Sequence, residues 1–383
     1  MKSFKGDKVI WIVVFILSII SIIAVYSTTG TLAYKYRGGN TEYYLFKHVV
    51  ILLLALGLMF FAHRVKYTYY SRISQIALII AIPLLLLALF FGTSIHDASR
   101  WYKILNLSFQ PSDFAKLALI MFLARLLTKK QDAIKDFRSA FVPIILPVII
   151  ICALILPANF STAAILFVTS IVLMFLGRVN IRYILTLVGI GSVILVIFFV
   201  IIYRNPEVGR FGTWKARIES FINPQGEDHY QSDQAKIAIA NGGVLGKGPG
   251  NSTQKNFLPH PYSDFIFAII IESFGLVGGT VVLLLYLILF YRTIRIAIRC
   301  QRSFGSFLAL GLGFSIVFQA MINMAVAVSL LPVTGQTLPL ISMGGTSMWF
   351  TFIALGVIVS VSRDLEMEPE EDEEDITHEY VAG

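Results

Sequence analysis

Apolar positions along this chain run in long unbroken blocks. From Val9 to Tyr26 no charged residue interrupts, and comparable blocks recur up to Val361. An uninterrupted apolar run of about 20 residues, with about 17 as the lower limit, is the length of a membrane-spanning helix. Backbone polar groups in hydrocarbon must be satisfied within the structure, and the runs are continuous where a β-barrel wall would alternate, so they predict α-helices. The pattern predicts an all-α polytopic membrane protein of about ten spans, near 9–28, 46–64, 74–93, 113–127, 140–157, 160–178, 182–203, 265–291, 305–330 and 346–362. The third span carries Pro83 and the fifth Pro143 and Pro147, which neighbouring helices in a bundle can accommodate.

Charge adds a topology. Lys2, Lys5 and Lys8, then Arg64, Lys66 and Arg72, then Arg125, Lys129, Lys130, Lys135 and Arg138, then Arg178 and Arg182, then Arg292, Arg295, Arg299 and Arg302, and finally Arg363 fall at alternate ends of the spans. The opposite short loops hold only Lys35, Arg37, Arg100 and Lys103. Short cytoplasmic loops collect Lys and Arg, so both termini are expected in the cytoplasm, as an even number of spans requires. One long external loop, 204–263, then joins spans seven and eight; its Gly-rich punctuation predicts short helices and turns lying on the bundle. The span-bearing unit is 1–363, followed by an acidic tail, 364–383, expected to be disordered and solvated or to dock a cytoplasmic partner. The formal charge of +8 is explained by topology and gives no reason to invoke nucleic acid. The lysine-led first span reads as an anchor without a cleavage site. Cys152 and Cys300 offer neither a disulfide framework nor metal-ligand spacing.

Polar residues at membrane depth locate the candidate chemistry, because burying them is costly. Ser263 or Asp264 is placed to cap the eighth span, and Glu272, eight residues on, would share its helical face about 12 Å further in. Asp264 is the candidate catalytic carboxylate, either a general base or a ligand for a divalent cation; Glu272 either lines the same site or pairs with a buried cation. Arg100 and Trp101 stand in an external loop, and Pro111, Ser112 and Asp113 begin a helix that places Lys116 in its first turns. Asn323, with Gln319 one turn earlier, lies inside a span, where an interhelical hydrogen bond accounts for it equally well. Residues 331–347, with Pro332, Pro339, Ser342 and three glycines, predict a broken or re-entrant segment facing a cavity. No Walker A, His-Glu-x-x-His or Gly-x-Ser-x-Gly pattern occurs. Gly246-Lys-Gly-Pro-Gly250 is a loop that either simply turns or offers N–H groups to a phosphate.

Taken in order, Arg100-Trp101, Gln110-Pro-Ser-x-x-x-Lys116, Asn241-Gly-Gly-x-x-Gly-Lys-Gly248, Asp264-Phe-Ile-Phe-Ala, Ile322-Asn323, Leu331-Pro-x-Thr-Gly-x-x-Leu-Pro339 and Ser342-x-Gly-Gly345 resemble the SEDS family of polytopic peptidoglycan glycosyltransferases. Gly250-Asn-Ser-x-Gln-Lys255 is closer to the division-type FtsW branch than to the elongation-type RodA branch. The sequence departs from the family pattern at Asp113, Asn159, His260 and Ser273. The resemblance implies polymerisation of lipid II into glycan strands at the outer face of the cytoplasmic membrane, with inversion at the anomeric carbon. It implies Asp264 as the catalytic residue. Arg100, Trp101, Ser112, Lys116, Glu272, Asn323 and Ser342 would contact substrate, and a divalent cation (Mg2+ or Mn2+) would assist. It also implies a class B penicillin-binding protein transpeptidase and other division proteins as partners. A lipid II flippase and a non-catalytic division scaffold are the rival expectations.

Overall fold

The computed structural model describes residues 5–30, 40–91, 93–95, 98–104, 107–205, 207, 211–222, 230–259 and 261–381; the side chains of 93–107 and 367–381 are outside the description. Among the described residues the chain forms twelve α-helices: α1 (Lys8–Thr28), α2 (Thr41–Arg64), α3 (Tyr70–Phe91), α4 (Pro111–Lys129), α5 (Val142–Ile155), α6 (Phe160–Leu176), α7 (Ile181–Arg204), α8 (Phe211–Ile222), α9 (Tyr230–Gly242), α10 (Ile266–Arg299), α11 (Ser303–Ala327) and α12 (Thr346–Val381). Eight helical stretches are long and apolar enough to cross a bilayer, and α6 is a shorter apolar helix. α4 completes the ten expected positions. It carries Asp113, Lys116 and Arg125, yet most of its surface is buried against protein, which is where charged residues in a span belong.

The core forms where α4, α10, α11 and α12 meet: α4 packs on α3 and α11, α10 on α9 and α11, and α12 on α2. α7 contrasts with them, since only Ile184 and Ile202 of its 24 residues are buried. The loop after α3 forms a small antiparallel sheet, β1 (Thr93–Ile95), β2 (Ala98–Ile104) and β3 (Leu107–Phe109), in that order. Tyr102 pairs with Phe109 and Ile104 with Leu107, so β3 runs directly into the start of α4.

Asp7 ties the two ends of the chain together. Its Oδ1 accepts from the N–H groups of Val9 (3.0 Å) and Ile10 (3.1 Å) and so caps α1. Its Oδ2 accepts from Arg292 Nε at 2.8 Å, and its own N–H donates to Ser362 Oγ at 2.9 Å. The start of α1, the last turns of α10 and the middle of α12 therefore meet at one end of the bundle.

At the other end α10 is broken. Gly275 has φ +70° inside the helix, and the preceding loop supplies the hydrogen bonds that the break removes. Lys247 N–H donates to Glu272 O (3.0 Å) and Gly248 N–H to Ser273 O (2.9 Å), while Leu276 N–H donates to Gly243 O (2.9 Å). This is how a non-helical turn survives at depth. Two backbones approach closely enough that a Cβ on Gly275 would sit 2.0 Å from Val244 O, and one on Gly246 2.4 Å from Ser273 O.

α12 is described through Val381, and so runs into the acidic tail. Extending an existing helix needs no new nucleus, and Glu is a good helix former, so the backbone carries on despite its like charges.

Candidate functional site

The site is built on the non-helical segment between α11 and α12. Three polar side chains fasten it to helices. Gln319 Nε2 donates to Thr337 O (3.1 Å). Asn323 Nδ2 donates to Gln336 O (2.7 Å) and Asp264 O (2.9 Å). Gln336 Nε2 donates to Asn159 Oδ1 (3.2 Å) and Thr162 Oγ1 (3.0 Å). Ser342 joins the segment to the turn before α10: it accepts from Leu338 N–H (2.8 Å) and donates to Ser263 O (2.7 Å). Met343 N–H also donates to Tyr262 O at 3.0 Å, and the buried Tyr286 hydroxyl donates to Pro339 O. The expected broken segment is present, and the bonds from Asn323, Ser342 and Met343 to the carbonyls of Asp264, Ser263 and Tyr262 fix the backbone around Asp264.

Asp264 lies in the turn before α10, whose cap is Phe265 with no side-chain hydrogen bond. Asp264 is thus not spent on capping. Its Oδ1 accepts from Ser263 Oγ at 2.8 Å, and its carboxylate faces a cavity of about 740 Å³. Pockets of about 300–1,000 Å³ hold small ligands or headgroups. The guanidinium of Arg217, on α8, lines the same cavity. A Cβ placed on Gly335 would lie 3.6 Å from Asp264 Oδ2 and 3.7 Å from both Arg217 Nη atoms, so the two charged groups converge over that glycine. Burial pulls the Arg217 pKa below its ordinary value, and the Asp264 carboxylate opposes that pull. Lys47, Asp113 and Gln319 add polar lining, while Phe198, Phe199 and Ile202 of α7 form an apolar wall. Phe198 lies against Trp214 (5.3 Å between ring centroids) and is stacked on Phe160 (5.6 Å), so the wall continues onto α8 and α6.

Several expected site residues belong elsewhere. Glu272 does not share a face with Asp264, because Asp264 precedes the helix, and Glu272 is fully buried away from the cavity. Its carboxylate instead clamps the 247–254 loop. It accepts from Thr253 N–H (3.0 Å) and Oγ1 (2.9 Å), Gln254 N–H (3.3 Å), Lys247 Nζ (3.4 Å) and the Ser252 hydroxyl. Lys116 donates to Gln319 Oε1 (2.8 Å) and Asp113 Oδ1 (3.4 Å), bracing the residue that holds Thr337 and lying beside the main cavity, not in it. Ser112 accepts from Gln110 Nε2 (2.7 Å) at the start of α4 and is also outside the cavity. Asn323 and Ser342 position backbone and do not line it. Arg100 and Trp101 fall on β2, and their side chains lie outside the described residues, as does His260. The Gly246–Gly250 loop offers Lys247 and Gly248 N–H groups to α10 carbonyls, which leaves neither for a phosphate.

Arg217 is one of seven Lys and Arg residues in the 204–263 loop and was not among the expected site residues. The available signal was its place on an apolar helical face, with Trp214 one turn before it and Phe221 one turn after. For a metal, the described residues contain no group of three His, Cys, Asp or Glu side chains able to hold one. The cavity offers Asp264, Ser263 and Asp113, whose Oδ2 is buried without a hydrogen-bond partner. Hard oxygen donors of this kind suit a Mg2+-type ion that completes its shell with substrate phosphates, not a cage of protein ligands.

With the geometry in place, the comparisons define the class. Residues 7–367 match the FtsW/RodA/SpoVE family of cell cycle proteins, and the chain belongs to that family, the SEDS proteins. It is 36% identical over 372 residues to stage V sporulation protein E of Bacillus subtilis, covering 94% of this chain and 98% of that one. It is 33% identical over 379 residues to a probable peptidoglycan glycosyltransferase FtsW of Geobacter sulfurreducens, covering 95% and 97%. The rod shape determining protein RodA of Thermus thermophilus shares its fold, with a TM-score of 0.66 at 24% identity over 94% of this chain and 97% of that one. A chain from a peptidoglycan synthase complex that coordinates polymerization and crosslinking superposes with a TM-score of 0.70 at 24% identity, covering 94% and 98%.

Proposed function

We propose that this multi-pass membrane protein is a peptidoglycan glycosyltransferase that polymerises lipid II at the outer face of the cytoplasmic membrane, with both of its termini in the cytoplasm. The observation that carries the reading is the convergence of Asp264 and Arg217 over Gly335 in a cavity with an apolar wall on the lipid-exposed α7. A substrate joining a sugar to a lipid through a diphosphate presents a reacting hydroxyl, an anionic leaving group and an apolar tail. The cavity has a counterpart to each.

In this reading the acceptor hydroxyl attacks the anomeric carbon of the donor. The C–O bond to the diphosphate breaks with inversion, and Asp264 takes the hydroxyl proton. A positioned general base contributes typically 10²–10⁴-fold. Arg217 faces the negative charge gathering on the leaving diphosphate, the task to which a planar guanidinium fork is suited. The alternative use of the Asp264 carboxylate is to hold a divalent cation (Mg2+ or Mn2+), which would supply neutralisation of that charge in place of the general-base role. Asn323 and Ser342 keep the Asp264 backbone in place. A class B penicillin-binding protein is the expected partner, with other division proteins, and septal synthesis is the expected setting, because the Gly250–Lys255 motif resembles the division-type branch more than the elongation-type one.

The test is purified protein with its partner, lipid II and Mg2+, polymer being resolved on a gel. Asp264→Asn is expected to abolish polymer without changing fold or partner binding. Full polymerisation by that variant would remove Asp264 from the mechanism, and lipid II translocation without polymerisation by the native protein would favour a flippase. Depletion in cells is expected to give filaments; rounded cells would assign the protein to elongation.

A further inference from the structure

A second cavity, of about 500 Å³, opens at the end of the bundle away from Asp264, where α1, α10 and α12 meet. Four cationic side chains line it, Lys8, Arg292, Arg295 and Arg299, against two acids, Asp7 and Glu366. Both acids are occupied. Asp7 is held by Arg292 (Nε at 2.8 Å), and Glu366 Oε2 accepts Gly6 N–H at 2.8 Å. Among the described residues no hydrogen bond or ion pair engages Lys8, Arg295 or Arg299. Arg292, Arg295 and Arg299 follow i, i+3, i+7 spacing and so share one face of α10. Like charges gathered without counter-charges are unfavourable unless an anion completes them.

The surface below this mouth is aliphatic on both sides. On α1 the face that begins at Lys8 continues through Ile12 (57% exposed), Phe15 (61%) and Ile19 (43%), at i+4, i+7 and i+11. On α10 the arginine face continues one turn inward to Ile288, 40% exposed. α1 and α10 pack side by side, so these exposed aliphatic positions lie on the two helices that frame the cavity. The mouth sits at the first residue of a spanning helix, the depth at which lipid headgroups lie.

We propose that this cavity binds the phosphate headgroup of an anionic phospholipid, with the acyl chains lying along the seam between α1 and α10. Unpaired cations above an exposed aliphatic groove match that molecule, and basic pockets between spanning helices are known to hold such headgroups. The site lies at the opposite end of the bundle from Asp264 and does not depend on the glycosyltransferase reading.

The experiment uses full-length protein in detergent, titrated with phosphatidylglycerol, phosphatidylcholine or inorganic phosphate, with bound adducts counted by native mass spectrometry. Phosphatidylglycerol is expected to be retained in preference to phosphatidylcholine. Arg295→Gln with Arg299→Gln is expected to weaken it about 25-fold, taking roughly fivefold per basic residue. Both arginines are exposed, so the fold should be kept. As an independent arm, Ile12→Ser with Phe15→Ser should weaken phosphatidylglycerol binding while leaving both arginines in place. Three results would overturn the proposal. These are phosphatidylcholine retained as well as phosphatidylglycerol, inorganic phosphate competing as effectively as lipid, and lipid binding that emerges only after Glu368, Glu370 and Glu371 are changed to Gln, which would make the acidic tail the occupant.

Discussion

Glu272→Gln separates a structural clamp from a substrate contact. The replacement keeps the shape of the side chain and exchanges one acceptor oxygen for a donor amide. Five donors converge on the native carboxylate: Lys247 Nζ, Ser252 Oγ, Thr253 N and Oγ1, and Gln254 N. The side chain has no exposure, so water cannot replace a lost bond. A hydrogen bond to a charged group is worth about 1.5–3 kcal/mol. An amide nitrogen turned toward the Thr253 and Gln254 N–H groups forfeits at least two such bonds, about 3 kcal/mol. The Lys247 ammonium is about a third exposed and adds little. About 3 kcal/mol corresponds to an increase of roughly 100-fold in local opening. Hydrogen exchange of the 247–256 amides, followed by mass spectrometry in detergent, is expected to accelerate by about that factor, with α11 unchanged. If activity falls while exchange is unaltered, Glu272 touches substrate and the clamp is the wrong account.

Gly246→Ala, at φ +81° with its Cβ 2.4 Å from Ser273 O, should cost at least about 2 kcal/mol and lower the thermal-inactivation midpoint in detergent. Gly243→Ala, at φ +52° but in open space, should cost about 1 kcal/mol in the same assay. Asn323→Ala removes the donor shared by Asp264 O and Gln336 O; polymer formation should fall by about 10- to 100-fold with partner binding intact, because a misplacement of about 1 Å has that effect. Arg217→Ala should lower the single-turnover rate by about 100-fold, in line with the removal of one preorganised charge, and Arg217→Lys should recover part of it. An unchanged rate in both would place the guanidinium away from the leaving group.

The helical frame was legible because apolar run length is set by bilayer thickness, a constraint each run meets on its own. Asp264 was legible for a related reason: a carboxylate at the start of a long apolar run needs an explanation. The role of Glu272 was not, because the i+8 argument assumed that the helix already included Asp264. The structure starts α10 at Ile266 and brings back a loop some twenty residues earlier in sequence to meet Glu272. Lys116 was read through its own helix, but its partner Gln319 is 203 residues away. Arg217 lies on a helix too short to span, and its importance comes from Gly335 and Asp264, neither near it in sequence. Two of the three strands after α3 have only three residues, below the length of about four at which alternation speaks.

The repair of α10 at Gly275 bears on biogenesis. The residues that complete the helix, Gly243 to Gly248, are synthesised before it. When α10 leaves the insertion machinery, the carbonyls of Glu272 and Ser273 have no partners along their own helix, and hydrocarbon offers none. The stretch 266–274 can therefore settle only where the earlier loop is already waiting. A delay in folding that loop would hold up membrane entry of a segment the ribosome has already finished.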